Sequence, residues 1–208
     1  MEFCIRPARR EEVSAIMEVM HAAMAAMQHP EWFLPDDEAY IRTHIDDAGG
    51  FCLVAEAPDG GLAAYFTVKY AGLSADALGR QLGFDEEALL RTAQMDSCCV
   101  TPRYQGHHLE GRLLLAAEAR LRGTPYRHFV GTVHPDNAAS LYTALHRGYR
   151  IAAANCLCYG DKLRHIVQKD VEEGFDLVAN SLQNPKSVDF PGNFSIIKTG
   201  PCADRTTF

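Results

Sequence analysis

The sequence predicts a mixed α/β domain whose twisted, mostly antiparallel central sheet of about six to seven strands is flanked by helices. Three observations predict it. Two apolar strand-like stretches meet at the turn Pro58 to Gly61, which indicates a β-hairpin. A strand, a helix and a strand follow one another from Gln94 to Val133, which predicts a right-handed crossover between parallel neighbours. A second hairpin closes at Gly160-Asp161.

Chain breaks mark the elements of the first half. Apolar residues recur at helical spacing from Val13 to Met27, and His29-Pro30 ends this first helix. A second helix begins after Asp36-Asp37 and ends before Gly49-Gly50. The segment Ala71 to Leu90 has glycines between short apolar groups, so we predict a connection with one or two short helices.

The second half shows the same kind of punctuation. A turn at Pro102 to Gly106 separates a strand from an amphipathic helix. Asp136 or Asn137 caps the next helix, and Gly148 ends it. In chain order, the predicted elements are strand Phe3 to Arg6, helix Glu11 to Met27, helix Glu38 to Asp47, strand Phe51 to Ala57, strand Leu62 to Tyr70, strand Gln94 to Thr101, helix Glu110 to Arg122, strand Phe129 to Val133, helix Asn137 to Arg147, strand Arg150 to Tyr159 and strand Lys162 to Lys169.

The pattern weakens after Glu172, where only Phe194 to Ile197 is strand-like. We therefore predict one domain over residues 1–171 and a C-terminal extension over residues 172–208 that packs on it.

Composition narrows the class of protein. Hydrophobic residues make up 47% and charged residues 23%, which is typical of a soluble globular chain. The formal charge of −7 disfavours a nucleic-acid-binding surface. Met1 to Arg10 carries charges where a signal peptide would be apolar. We expect a cytoplasmic protein with no nucleic-acid or membrane partner.

The seven cysteines lack the spacing of a disulfide framework or of a zinc site. We interpret them as buried, reduced thiols and expect no metal. A nucleophilic cysteine stays open, as does a redox or metal site built on Cys98, Cys99, Cys156 and Cys158.

The turn from Pro102 to Glu110 predicts an anion site. A strand that opens through a turn into a helix brings unpaired backbone N–H groups and the positive end of a helix dipole to one place, which suits a phosphate. Several arginines surround this turn in an otherwise acidic chain, and such a basic island fits a small anionic ligand. These are Arg103, Arg112, Arg120, Arg122 and Arg127.

Two segments carry a resemblance to a known family. Val100 to Gly106 reads VTPRYQG, similar to a junction V-x-P-x-[YF]-[RQ]-G that joins a strand to a helix. Asn137 to Tyr142, followed by His146 to Tyr149, is similar to that family's later helix, which begins with Asn and ends in G-[FY]. Over about Phe3 to Val171 the chain resembles the GNAT superfamily of acyl-CoA-dependent N-acyltransferases.

The resemblance implies an acetyltransferase that moves an acetyl group from acetyl-CoA directly to a primary amine of a small molecule or peptide. Tyr142 would act as general acid toward the departing thiolate. Asn137 and Ser140 would contact the cofactor, and the main chain of the central strand would stabilise the carbonyl oxygen. The implied cofactor-binding residues are Cys98, Cys99, Val100, Gln105, Gly106, His107, His108, Leu109, Glu110, Asn137, Ser140 and Tyr142.

His108 and Glu110 stand where the family's phosphate loop usually has glycine or alanine. Backbone N–H groups would hold the phosphates, so other residues are tolerable where φ is negative. We expect the imidazole of His108 to add a hydrogen bond to phosphate and the carboxylate of Glu110 to turn outward.

Asp96 is the candidate general base, because a carboxylate inside an apolar strand costs free energy unless it has a partner. Pairing with an arginine, capping by backbone N–H groups, or a water relay in its place are the alternatives. The resemblance implies an acceptor pocket that includes Trp32, Phe33 and Tyr159.

A non-catalytic CoA-binding or acyl-CoA-binding sensor is the alternative function. The partners expected are acetyl-CoA and an amine, and a homodimer is a further expectation.

Overall fold

A computed structural model of the protein describes residues 1–45 and 49–172. A seven-stranded sheet forms its centre. The strands are β1 (Cys4–Pro7), β2 (Gly50–Glu56), β3 (Leu62–Lys69), β4 (Thr92–Val100), β5 (His128–Val133), β6 (Arg150–Cys158) and β7 (Lys162–Asp170). They lie in the order β1-β2-β3-β4-β5-β7-β6, and β4 with β5 is the parallel pair among antiparallel neighbours. The predicted mixed, mostly antiparallel sheet is confirmed.

Helices cover both faces of this sheet. They are α1 (Val13–Ala25), α2 (Glu38–Ile45), α3 (Glu86–Leu90), α4 (Leu109–Leu121) and α5 (Ala138–His146). One core cluster joins α4 to the sheet through Leu109 and Leu113, and another joins α1 and α2 through Ile16 and Ile41. Burial of these apolar side chains on two sides makes the sheet the middle layer of the fold.

Helix ends differ from the prediction by a few residues, as is usual for ends set by local hydrogen bonds. The first helix was predicted from Glu11, but Arg10–Glu12 form a 3₁₀ turn before α1. The connection after β3 contains a 3₁₀ turn at Leu78–Leu82 followed by α3.

Some predictions fall outside the described residues. These are the C-terminal extension beyond Glu172, its strand at Phe194 to Ile197, and the end of the second helix at Asp47. Within residues 1–45 and 49–172, no helix has both the length and the apolarity that crossing a membrane requires.

Strands β4 and β5 pair over only four residues. The pairing runs from Thr92 with His128 to Met95 with Gly131, and beyond these residues the two strands no longer pair. The cavity described below lies where the pairing stops. Beyond Met95, the backbone groups of β4 that point toward β5 therefore have no strand partner.

A β-bulge lies in β4 at the same place. Strand β3 pairs Val68 with Met95 and then Phe66 with Cys98, so Asp96 and Ser97 both stand opposite Thr67. A bulge places one extra residue in the strand and re-aims the side chains next to it. Both bulge residues contact the α2 side of the sheet, Asp96 through Tyr40 and Ser97 through Asp36.

We predict that substituting Gly131 with alanine destabilises the protein by about 1–3 kcal/mol through overpacking. A Cβ at Gly131 would lie 2.7 Å from the carbonyl oxygen of Met95, and that oxygen cannot move without separating β4 from β5. Urea unfolding measures the loss. The control is G61A, where a Cβ would meet only the Asp59 carboxylate at 3.4 Å. Equal unfolding free energies for G131A and wild-type would contradict the predicted clash.

Candidate active site

A cavity of about 480 Å³ opens where β4 and β5 stop pairing. Asp96 and Cys98 of β4 line it on one side. Glu110 of α4 lines it on another side, with Asn137 and Ser140 at the start of α5. A cavity of this size is large enough for a small molecule. The polar groups that line it could orient a bound ligand.

Two carboxylates lie at one end of the site. The hydroxyl of Tyr40 donates to Asp96. Asp36 accepts a hydrogen bond from Ser97 Oγ at 3.1 Å and another from Tyr65 OH at 3.2 Å. In the described part of the chain neither carboxylate forms an ion pair with a lysine, arginine or histidine. This end of the site is therefore acidic, and hydroxyl groups hold it in place.

The pKa values of both carboxyl groups are raised. Burial and then the charge of Asp96 raise the pKa of Asp36 to about 6. Burial also raises the pKa of Asp96, although the hydrogen bond from Tyr40 acts in the opposite direction. A carboxylate with a raised pKa is a stronger base than an exposed one, which is what proton abstraction near neutral pH requires.

The partner of Asp96 was not foreseen. An arginine or backbone N–H groups were the partners expected from the sequence, whereas in the structure the hydroxyl of Tyr40 donates to Asp96. Asp36 was interpreted only as a residue before α2, and its contact with Ser97 depends on the bulge in β4. No local sequence pattern predicts a bulge of this kind, because the bulge is defined by how β4 pairs with β3.

The start of α4 forms the other end of the site. Gly106 has a φ of 80° and His108 a φ of 56°, so the turn before α4 is partly left-handed. The expectation of negative φ at His108 is wrong, although histidine is among the residues that adopt this conformation more often than most. No side chain in the described residues caps α4, so its first N–H groups stay available. Such an end fits the phosphates of a CoA molecule.

The expected outward orientation of Glu110 is also wrong. Its side chain lies on the cavity wall together with Ser140. Burial raises the pKa of this carboxyl group, and the hydrogen bond from Ser140 acts in the opposite direction. Glu110 faces inward because the first turn of α4 packs beside α5 and β4.

Helix α5 presents one face to the cavity, and Tyr142 is not on it. Asn137, Ser140 and Ala144 line the cavity, and the side chain of Asn137 caps the helix by accepting from Ser140 N at 3.2 Å. Tyr142 is 53% exposed, and its ring centroid lies 3.9 Å from that of His146. Two residues along a helix correspond to a rotation of about 200°, so Tyr142 points away when Ser140 points inward. The structure does not bring Tyr142 to the site.

Trp32 and Phe33 do line the cavity. The ring of Trp32 stacks between His29, at 4.4 Å, and His134, at 5.6 Å between centroids. Tyr159 is not part of the lining, but its hydroxyl lies 3.3 Å from Thr132 Oγ1. Burial and the charge of Asp96 raise the pKa of Tyr159, so this phenol stays protonated.

The remaining predicted cofactor residues divide between the cavity and other surroundings. Cys98 lines the cavity, whereas the side chain of Cys99 packs in the core cluster beneath α1. Leu109 is buried in the core, so only its backbone could meet a ligand. Val100 is half-buried and pairs with Ala64 of β3. The turn residues Gln105, Gly106 and His108 are exposed, and His107 lies with its ring 5.3 Å from that of Phe3.

Among the described residues, five cysteines are free thiols, namely Cys52, Cys98, Cys99, Cys156 and Cys158. Cys4 is disulfide-bonded, so the expectation of a reduced thiol is wrong for this residue. Burial raises the pKa of Cys98 and of Cys99, which keeps both thiols neutral. Within the described ranges, no three histidine, cysteine or acidic side chains come together as metal ligands would.

Three solved structures with the same architecture contain acetyl-CoA or coenzyme A. The yncA protein from Salmonella typhimurium, with its cofactor acetyl-CoA, is 22% identical over 83% of this chain and 96% of its own, with a TM-score of 0.61. The PaiA N-acetyltransferase from Thermoplasma acidophilum, in complex with coenzyme A, is 16% identical over 82% and 100%, with a TM-score of 0.60. A GNAT superfamily phosphinothricin acetyltransferase from Sinorhizobium meliloti, in complex with AcCoA, is 15% identical over 83% and 90%, with a TM-score of 0.61.

The protein has the GNAT fold. No protein-family model and no curated protein sequence matches the chain. The assignment of the GNAT fold therefore depends on the structural similarity of the seven-stranded sheet and its helices. At sequence identities this low, the similarity shows the fold alone. It agrees with the resemblance carried by Val100 to Gly106 and by Asn137 to Tyr149.

Proposed function

We propose that the protein is an acyl-CoA-dependent N-acetyltransferase that moves an acetyl group from acetyl-CoA to a primary amine of a small molecule or peptide. The observation that carries the proposal is the cavity between β4 and β5, which joins the uncapped start of α4 to Asp96 within the GNAT fold. Proteins of that fold have been solved with acetyl-CoA or coenzyme A bound.

Residues of this chain supply the cofactor contacts. In the proposal, backbone N–H groups from Gly106 to Glu110 hold the pyrophosphate at the start of α4, because no side chain in the described part of the chain caps them. Asn137 and Ser140 line the path of the pantetheine arm. Acetyl-CoA, when bound, supplies an acetyl thioester ready for transfer.

The reacting groups lie toward β4. Asp96 removes the proton from the amine, and its raised pKa suits this role. Backbone N–H groups of Cys98 to Val100 that point toward β5 lack a strand partner and can donate to the carbonyl oxygen as charge develops. The C–S bond of the thioester breaks as the C–N bond forms, and the CoA thiolate leaves and takes a proton from solvent. Tyr142 has no part in this scheme, since its side chain is exposed.

The acceptor amine enters beside Trp32 and Phe33. An ammonium group is attracted to the acidic pair Asp36 and Asp96, and the indole face of Trp32 favours a cation as well. Neutral or anionic acceptors would gain nothing from these two carboxylates. The proposed acceptor is therefore a cationic amine with an apolar body.

A non-catalytic acyl-CoA sensor is the second candidate. Two observations favour it: Tyr142 is exposed, and Glu110 places a carboxylate inside the cavity. This candidate predicts that the protein binds acetyl-CoA without turning over any acceptor.

The test is an assay of thiol release from acetyl-CoA with a panel of amines and peptides, with mass spectrometry of the acetylated product. We expect turnover with cationic primary amines and none with the corresponding alcohols. Y142F is the matched control, and we expect it to retain the wild-type rate. Calorimetric binding of acetyl-CoA without turnover of any amine would favour the sensor.

A further inference from the structure

Glu110 puts an uncompensated carboxylate into the proposed cofactor cavity. Its side chain lines the cavity together with Cys98 of β4 and Ser140 of α5. The Ser140 hydroxyl favours the ionised form of this carboxyl group, and no lysine or arginine among the described residues pairs with it. A half-buried carboxylate with no cation beside it carries a desolvation cost that the described residues do not offset.

Charged groups near the first turn of α4 do not neutralise Glu110. Just after α5, the guanidinium of Arg147 lies against Gly111, where a Cβ would be 3.2 Å from Nη2. The carboxylate that acts on Arg147 is Glu118, not Glu110. In the turn before α4, His107 packs against Phe3 and His108 is exposed.

The remaining titratable group that faces Glu110 lies on β4. The charge of Glu110 contributes to the raised pKa of Cys98, after burial, so the neighbouring thiol is neutral. Glu110 is thus, among the described residues on this wall of the cavity, a carboxyl group with a raised pKa and no cation beside it.

We propose that Glu110 couples cofactor binding to protonation: its side chain is neutral when acyl-CoA occupies the cavity, so that binding takes up one proton. The inference rests on the proposed function, because it takes the cavity to be the acyl-CoA site. In the neutral state the carboxyl group can donate a hydrogen bond to an amide carbonyl of the pantetheine arm, which the ionised group cannot do.

Two physical effects act in the same direction. A ligand that fills the cavity removes water from beside Glu110 and so makes its ionised form less favourable. The ligand also carries phosphates to the start of α4, where Glu110 is the second residue, and like charges repel. Both effects favour the protonated carboxyl group in the complex, whichever pantetheine atom lies closest to it.

The experiment is titration calorimetry of acetyl-CoA binding at several pH values, with each titration in two buffers of different ionisation enthalpy. The difference between the buffers gives the number of protons taken up. We expect uptake by wild-type to exceed uptake by E110Q by close to one proton at pH values between the pKa of the free protein and that of the complex. Proton uptake by the cofactor phosphates is common to both proteins and cancels.

Affinity provides the second readout. Because one proton is linked, the affinity of wild-type should fall by at most about tenfold per pH unit as pH rises, and E110Q should bind ~10-fold tighter than wild-type at the alkaline end. S140A should move the wild-type transition to higher pH, because the hydrogen bond from Ser140 opposes the rise in the pKa of Glu110. D136N removes an exposed carboxylate beside the cavity and should behave as wild-type.

The outcomes separate this inference from the proposed function. Binding by wild-type with the same proton uptake as E110Q would overturn the inference and leave the cofactor proposal intact. If wild-type and E110Q both fail to bind acetyl-CoA at every pH, both proposals are overturned. Matching circular dichroism spectra and melting temperatures would establish that E110Q is folded.

Discussion

Replacing Asp96 with asparagine is expected to lower kcat/KM for the amine by about 10²- to 10⁴-fold, the range that a positioned general base contributes. Asparagine keeps the shape of the side chain and a contact with Tyr40, but it cannot take a proton. Acetyl-CoA affinity should change little, because the contacts proposed for the pyrophosphate and the pantetheine arm lie at the starts of α4 and α5. Steady-state kinetics at saturating acetyl-CoA and varied concentrations of a cationic amine, together with calorimetry, measure both quantities.

The pH profile of wild-type provides an independent check on Asp96. The base must be ionised, so kcat/KM should rise with pH and level off above the pKa of the Asp36 and Asp96 pair. Burial raises the pKa of Asp36 to about 6, and the pKa of Asp96 is raised as well, so the rising limb should lie above the range of an exposed aspartate. D161N, in an exposed turn, is the control and should keep both rate and profile.

Stability should respond to D96N in the opposite direction from activity. A carboxyl group whose pKa is raised on folding favours the folded state only below its unfolded pKa, and this contribution is lost as pH rises through the folded pKa. At neutral pH, D96N should therefore be as stable as wild-type or more stable. If D96N retains the wild-type rate and D36N loses it, Asp36 is the base and the assignment of Asp96 fails.

Replacing Lys169 with methionine is expected to destabilise the protein by about 3–5 kcal/mol, because it leaves a buried carboxylate without its cation. Glu118 has a fully buried side chain, and Lys169 Nζ lies 2.7 Å from its Oε2. The same Nζ donates to the carbonyl oxygen of Arg147 at 2.9 Å, just after α5 ends. K169M should therefore also loosen the helix that carries Asn137 and Ser140.

Thermal unfolding measures this loss, which corresponds to about 10 °C or more for a protein of this size. K162M removes an exposed lysine that pairs with Asp161 in a turn, and it should change stability by less than about 1 kcal/mol. The double variant E118L/K169M should recover much of the loss, since it removes both charges. A melting temperature for K169M equal to that of K162M would contradict a stabilising role for the pair.

Local signals were sufficient for the order of elements. The turn at Pro58 to Gly61 does join two paired strands, β2 and β3, and the strand–helix–strand run does produce the parallel pair β4 and β5. These predictions are correct because turn residues and hydrophobic periodicity are local signals. Each of them is compatible with only a few backbone conformations of the same short segment. The site was predicted less well, because its groups come from segments far apart in the chain.

The sequence by itself predicted an anion site at the turn before α4, and the structure shows a helix start that no side chain among the described residues caps. Helical periodicity alone would also have placed Tyr142 and Ser140 on different sides of α5. Only the tertiary structure decided that Glu110 faces the cavity and that Asp36 stands beside Asp96. The reason is physical: the first depends on how α4 packs against its neighbours, and the second on a bulge created by pairing with β3.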